Sequence, residues 1–261
     1  MTEVPQQKQV TIAINAATVE DLKLALKAGW KDFSAAPQYG IFFGVFFALG
    51  GALLVWLAFI LDVVWVTYPL TIGFALIGPF IATGLYEVSR RLQSAQPLSW
   101  PTVLFVMVDQ HRRELGWMAF VTLFVFWVWM YQARTIFVVF FGSKGFATLD
   151  GFVAAVFSTE TGWWFLLVGH AVGAVISLVL YTLTVISCPL LLDRDVDFVT
   201  AMITSVRAVL ASPFVMIIWG VFVIVTVLLS MLPAFLGLLF VLPVLGHATW
   251  HLYGRVITVQ H

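Results

Sequence analysis

Residues 39–61 read YGIFFGVFFALGGALLVWLAFIL, and none of them is charged. A helix rises 1.5 Å per residue, so about 20 apolar residues cross the roughly 30 Å hydrocarbon core of a bilayer. A buried helix of a soluble domain is rarely this long or this free of charge. The stretch therefore decides the fold class: an all-α, polytopic membrane protein. The same ruler marks 68–86, a run from 116 to an outer end between 130 and 141, 163–191, 214–231 and 233–253. Together these predict six transmembrane helices. Composition agrees: 62% of the 261 residues are hydrophobic and 10% charged, against about 45–50% and about 25% in soluble domains.

Charge gives the orientation. The formal net charge is zero, which offers nucleic acid no electrostatic support. Of the 13 basic residues, eleven fall on one side of the predicted spans: Lys8, Lys23, Lys27, Lys31, Arg90, Arg91, Arg112, Arg113, Arg194, Arg207 and Arg255. Only Arg134 and Lys144 fall on the other. The basic side is the cytoplasmic one, so both termini are expected in the cytoplasm. Trp65, Trp163 and Trp164 at outer ends, and Trp100, Trp117 and Trp250 at inner ends, fit an aromatic belt. The cluster Trp127, Trp129, Tyr131 before Arg134 suggests that the third span leaves the hydrocarbon early, with 135–162 an outer interfacial loop. Arg134 then snorkels outward. Cys188 stands alone, so no intramolecular disulfide forms. Residues 1–18 have none of the features of a signal peptide and are read as a polar tail on a single membrane domain, 19–261.

The cytoplasmic segments carry helical periodicity of their own. Val19, Leu22, Leu26, Trp30 and Phe33 line one side of a helix over 19–35, while Lys23, Lys27 and Lys31 form a stripe at every fourth position. Thr18 with Asp21 is a capping box. This amphipathic helix is expected in the membrane interface, apolar face in lipid and lysines toward anionic headgroups. Segments 100–115 and 197–211 read similarly. The acidic run Asp193, Asp195, Asp197 reads as helix-start carboxylates.

An internal repeat organises the chain. A shift of 176 places Asp21 on Asp197, Lys31 on Arg207, Pro37 on Pro213 and Gly44 on Gly220. A shift of 164 then places Pro69 on Pro233, Pro79 on Pro243, Tyr86 on Trp250 and Arg91 on Arg255. Each unit is an interfacial helix followed by a hairpin of two spans, the second opened by one proline and broken by another. Three such units are expected, about 19–91, 99–191 and 193–255, with Pro189 taking the part of Pro79 in the middle one. Both clear copies start on the cytoplasmic side, so the repeat is parallel. Pro79 and Pro243 each delete a backbone donor and are expected to kink their helices.

Few side chains carry chemistry. His247 and His251 lie one turn apart on the sixth span, a spacing that suits a metal or haem ligand pair. No Cys, Asp or Glu adjoins them in sequence, and ordinary interfacial histidines are the expected reading, with no cofactor. His170 lies inside the fourth span. The pairs Arg90–Arg91 and Arg112–Arg113 are expected, with the three lysines and Arg207, to contact lipid phosphates. No nucleotide-binding, hydrolase or metalloprotease motif is present.

Ala28 to Asp32 with Pro37, Pro189 to Asp197, Ser205 to Val209 with Pro213, and Leu242 to His251 together resemble an uncharacterised family of bacterial integral membrane proteins, domain of unknown function 2189. The resemblance implies the bacterial cytoplasmic (inner) membrane and supplies no activity. Basic helices without catalytic groups point to a non-enzymatic accessory, assembly or envelope-homeostasis protein, with lipid and another membrane protein as partners. Two alternatives remain open: a small transporter or channel with a site between the proline-broken helices, and a redox accessory of a respiratory oxidase using His247 and His251.

Overall fold

A computed structural model of the chain describes residues 11–61, 74, 78–106, 113–143, 146 and 149–260. In chain order these form β1 (Thr11–Ile14), α1 (Val19–Ala35), α2 (Pro37–Leu61), α3 (Gly78–Gln93), α4 (Trp100–Leu104) and α5 (Arg113–Phe141). They continue as α6 (Leu149–Ser158), α7 (Glu160–Thr184), α8 (Ser187–Asp193), α9 (Phe198–Ala211), α10 (Pro213–Met231), α11 (Leu238–Val256) and β2 (Ile257–Gln260). Among the described residues, four stretches are long and apolar enough to cross a membrane: Pro37–Leu57, Glu114–Phe141, Glu160–Asp193 and Pro213–Met231. The protein is thus an all-α membrane protein. The first part of the expected second span, with Pro69 and Gly73, lies outside the described residues, as do Lys8, Trp65, His111, Arg112, Lys144 and His261.

The expected sixth span is α11, and it is enclosed by protein more than by lipid. Helices α1, α2, α3 and α10 all pack on it, and Leu245, His247, Ala248, Trp250, Leu252 and Tyr253 are buried there. That enclosure is why α11 can carry two histidines. Small residues let the backbones close up. A Cβ added at Gly29 of α1 would sit 2.7 Å from both Val244 O and Ala248 N, and one at Gly44 of α2 would sit 2.6 Å from Leu239 Cα.

Helix breaks recur at matching places. The chain turns between α1 and α2 at Ala36 (φ −140, ψ 56) and between α9 and α10 at Ser212 (φ −148, ψ 61), and a proline opens the next helix each time, Pro37 and Pro213. Between α7 and α8, ahead of Pro189, Ser205 of α9 is inserted into one rung of the backbone ladder. Its hydroxyl donates to Thr182 O at 2.7 Å and accepts from Ile186 N at 3.2 Å.

Four expectations are corrected. Helix α5 continues unbroken through Arg134 to Phe141, so 135–141 is not loop; Phe141 stacks edge-on with Phe165 of α7, centroids 5.0 Å apart. Pro233 does not open the last helix. Residues 232–237 are turns in which Ala234 (φ 49) and Phe235 (φ 66) are left-handed, and α11 starts at Leu238. The polar tail is not free, because β1 pairs antiparallel with β2, Ile12 opposite Val259 and Ile14 opposite Ile257. Finally, α1 turns a different face inward. It buries Leu22, Ala25, Gly29, Asp32 and Phe33, whereas Val19 and Trp30 (57% accessible) are exposed.

Candidate functional site: a polar cluster at the junction of α1, α3 and α11

Where the C-terminal parts of α1, α3 and α11 meet, six polar side chains form one connected network. Trp250 Nε1 donates to Gln93 Oε1 at 3.0 Å, and this fixes the amide with its nitrogen toward His251. Gln93 Nε2 then donates to His251 Nδ1 at 3.0 Å. With Nδ1 accepting, the neutral ring carries its proton on Nε2, which donates to Asp32 Oδ2 at 2.7 Å. On the other side Asp32 accepts from the Ser89 hydroxyl. Ser89 has one proton to give, so its oxygen accepts from His247 Nδ1 at 2.8 Å. His247 is fully buried, and among the described residues its Nε2 has no hydrogen-bond partner. In this tautomer Nε2 is a lone pair and not a stranded N–H.

Asp32 is the hub and is only 8% exposed. Burial alone would raise its pKa; hydrogen bonds from His251 and Ser89 outweigh that and hold the carboxyl below the ordinary carboxylate range. Local helix geometry brings these groups together. Asp32 follows Gly29 by three residues on the face pressed against α11, Ser89 and Gln93 lie one turn apart on α3, and His247 and His251 one turn apart on α11.

Beside the network, Glu87 (1% exposed) holds two arginines. Arg90 Nε lies 2.8 Å from Oε2, and Arg91 Nε 2.7 Å from Oε1. The Glu87 carboxylate holds the Arg90 guanidinium above its ordinary pKa. Arg91 also donates to Pro97 O at 2.8 Å, pinning the turn after α3. Arg90 and Arg91, expected on lipid phosphates, are both held by the buried Glu87 carboxylate.

The remaining predicted residues are dispersed. Lys23, Lys27 and Lys31 are exposed on α1, Lys23 beside Glu20 at 3.4 Å. Arg207 is exposed on α9. Only the backbone of Arg113 is described. Pro79 lies in α3, while Pro243 is buried inside α11, its Cβ 2.9 Å from a Cβ built on Gly40. Packing fills that side of Pro243. His170 is exposed and donates from Nδ1 to Leu166 O at 2.7 Å. Of the acidic run, Asp197 caps α9 through Thr200 N at 2.9 Å. Asp193 instead ends α8 and accepts from the Tyr253 hydroxyl at 2.8 Å. His247 and His251 share a face but serve separate partners. His251 has both ring nitrogens engaged, and among the described residues no group of three or more His, Cys, Asp or Glu is placed to hold a metal.

Asp32, Glu87, Ser89 and Gln93 were not singled out from sequence as site residues. One signal was available: Glu87 stands three and four residues before Arg90 and Arg91.

Residues 66–193 match the family described as "Predicted integral membrane protein (DUF2189)". Over this stretch the chain is a member of that family. The match spans about half the chain, from the approach to α3 through α8. It includes Glu87, Ser89 and Gln93 but not Asp32, His247 or His251. Most of the stretches that carry the resemblance in sequence, including Leu242 to His251, lie outside it. No curated protein and no solved structure gives a significant match.

Proposed function

We propose that this DUF2189 protein is a six-span protein of the bacterial cytoplasmic membrane, both ends cytoplasmic. It acts without catalysis, through lipid and protein contacts, in assembly or envelope homeostasis. The observation that carries the reading is the closed network of Trp250, Gln93, His251, Asp32, Ser89 and His247. Apart from His247 Nε2, its polar groups pair with one another, and together they fasten α1, with its exposed lysines, to the bundle. An arrangement of this kind positions a surface.

Two observations support six spans in three repeated hairpins. Pairing of β1 with β2 keeps both ends on one side of the bilayer, which requires an even number of crossings. The lead helices also contact their neighbours in rotation. Helix α1 crosses α11 at Gly29, α9 crosses α7 at Ser205, and α4 meets α3 where Gly84 faces Val103 O. The lead helix of each unit thus rests on the second span of another unit, as in a ring of three around the membrane normal.

The test is site-directed thiol labelling in intact cells. Cys188 is buried and gives a silent background. K31C and R207C should react only after the cytoplasmic side is opened, and R134C before. Labelling of all three from one side overturns the topology. Capture of the same partner by intact protein and by a K23Q/K27Q/K31Q variant would overturn the role given to the lysine face.

A further inference from the structure

The inner end of α7 and the outward side of α9 enclose an open groove of ≈ 350 Å³ lined by Leu183, Val199, Met202, Ile203, Val206 and Arg207. Helix α9 buries Ala201, Thr204, Ser205, Ala208 and Val209 against the bundle. Its opposite side presents Val199, Ile203 and Leu210 openly. A helix so apolar on its free side belongs against hydrocarbon. Arg207 is the one charged residue lining the groove. Among the described residues no carboxylate lies within ion-pair distance of it; the arginines that are paired there are Arg90, Arg91, Arg194 and Arg255.

We infer that this groove is a binding site for a phospholipid with a net anionic headgroup, one acyl chain lying between α7 and α9 and the phosphate on Arg207. The inference rests on the membrane reading above and adds a ligand and a place to it. A guanidinium at a hydrocarbon surface needs a partner at headgroup depth, and a phosphate supplies paired oxygens matching its fork. A zwitterionic lipid offers the same phosphate, but its own ammonium competes for it. The position of the cation along its helix is a second argument. Arg207 follows the Ser205 crossing by two residues, and Lys31, exposed and likewise without a carboxylate partner among the described residues, follows the Gly29 crossing by two. Each of these two lead helices thus carries an exposed cation two residues past its crossing.

The experiment is native mass spectrometry of the full chain, delipidated in mild detergent and offered phosphatidylglycerol or phosphatidylcholine. Retention in membranes after alkaline carbonate is measured first, and release at that step defeats the membrane reading itself. Given retention, the wild type should hold phosphatidylglycerol over phosphatidylcholine by roughly fivefold, the worth of one basic residue at an anionic surface. R207Q should bring the ratio to about one, and R207K should restore it, which separates charge from folding. I203W should block the groove and lower phosphatidylglycerol binding with Arg207 in place, while G254A, at a position with open space around it, leaves it unchanged. Equal ratios for wild type and R207Q would falsify the site. Full displacement of the lipid by inorganic phosphate would also overturn it, by reducing the groove to an anion patch.

Discussion

Gly29 and Ser205 meet the same backbone arrangement on two different helices. Gly29 lies against Val244 O and Ala248 N of α11, and Ser205 is bonded to Thr182 O and Ile186 N at the end of α7. Each pair is a carbonyl and the amide four residues on, one rung of a helical ladder. The sequence shift of 176 also places one residue on the other. At α11 the approaching helix has no side chain, and the backbones nearly touch. At α7 a hydroxyl enters the rung, and the helix breaks.

Replacing Ser205 with Ala should therefore strand the Ile186 N–H and the Thr182 carbonyl in a buried place. A buried donor left unpaired costs about 1–3 kcal/mol. Unfolding of the purified protein in a mixed-micelle SDS titration should show a loss of that order. S205T, which keeps the hydroxyl, should lie closer to wild type.

At the other crossing the sign is steric. G29A puts a methyl 2.7 Å from two backbone atoms that cannot swing aside, so α1 must lift from α11. Overpacking of this kind costs about 1–3 kcal/mol. Gly254, also in α11, has nothing within 4 Å of its would-be Cβ, and G254A should be neutral or slightly stabilising. Hydrogen exchange along α1 discriminates the two: faster in G29A, unchanged in G254A. Equal behaviour would mean the contact is not tight.

Docking of α1 should weaken in acid. The folded pKa of Asp32 is depressed, so its contribution is fully present above the unfolded value of about 3.9 and is lost as pH falls through the folded value. Tryptophan emission from Trp30 and Trp250 should report α1 loosening below pH 4. D32A should be loosened already at neutral pH, with a flattened acid response over that range. A D32A profile parallel to wild type would assign the transition to other carboxylates.

The Glu87 clamp should respond unequally to its two ends. Removing the carboxylate with E87A leaves both guanidiniums unpaired, and breaking a buried pair costs about 3–5 kcal/mol. R90Q leaves Arg91 on Glu87 and should cost well under that. Thermal stability in detergent checks the order; R90Q as harmful as E87A would show that the two arginines do not share the load.

What could be read beforehand was what is local along the chain. Thr18 and Asp21 form the capping box that their spacing indicates, the lysines at every fourth position of α1 all face outward, and Pro37 and Pro213 open helices. What could not be read depends on contacts between distant residues. Asp32 meets His251 across 219 positions, and β1 needs β2 at the other end of the chain. The inward face of α1 was missed for a related reason. A hydrophobic periodicity weighs Val19 and Trp30 heavily, whereas close helix contact selects small residues such as Ala25 and Gly29. The arginines after Glu87 went to lipid because basic residues at an inner membrane end suit headgroups. Only the fold shows a carboxylate already holding them.

Contact between α1 and α11 has a consequence for the order in which the molecule is made. Translation delivers α1 well before α11, so α1 waits for its partner until every helix between them has been synthesised. Throughout that interval Gly29 and Asp32 lack their partners on α11, and the β1 strand has no edge to pair with. Completion of the C-terminal strand is thus the event that closes the structure. A ribosome stalled before residue 238 would leave a chain recognisable to quality control by its undocked first helix.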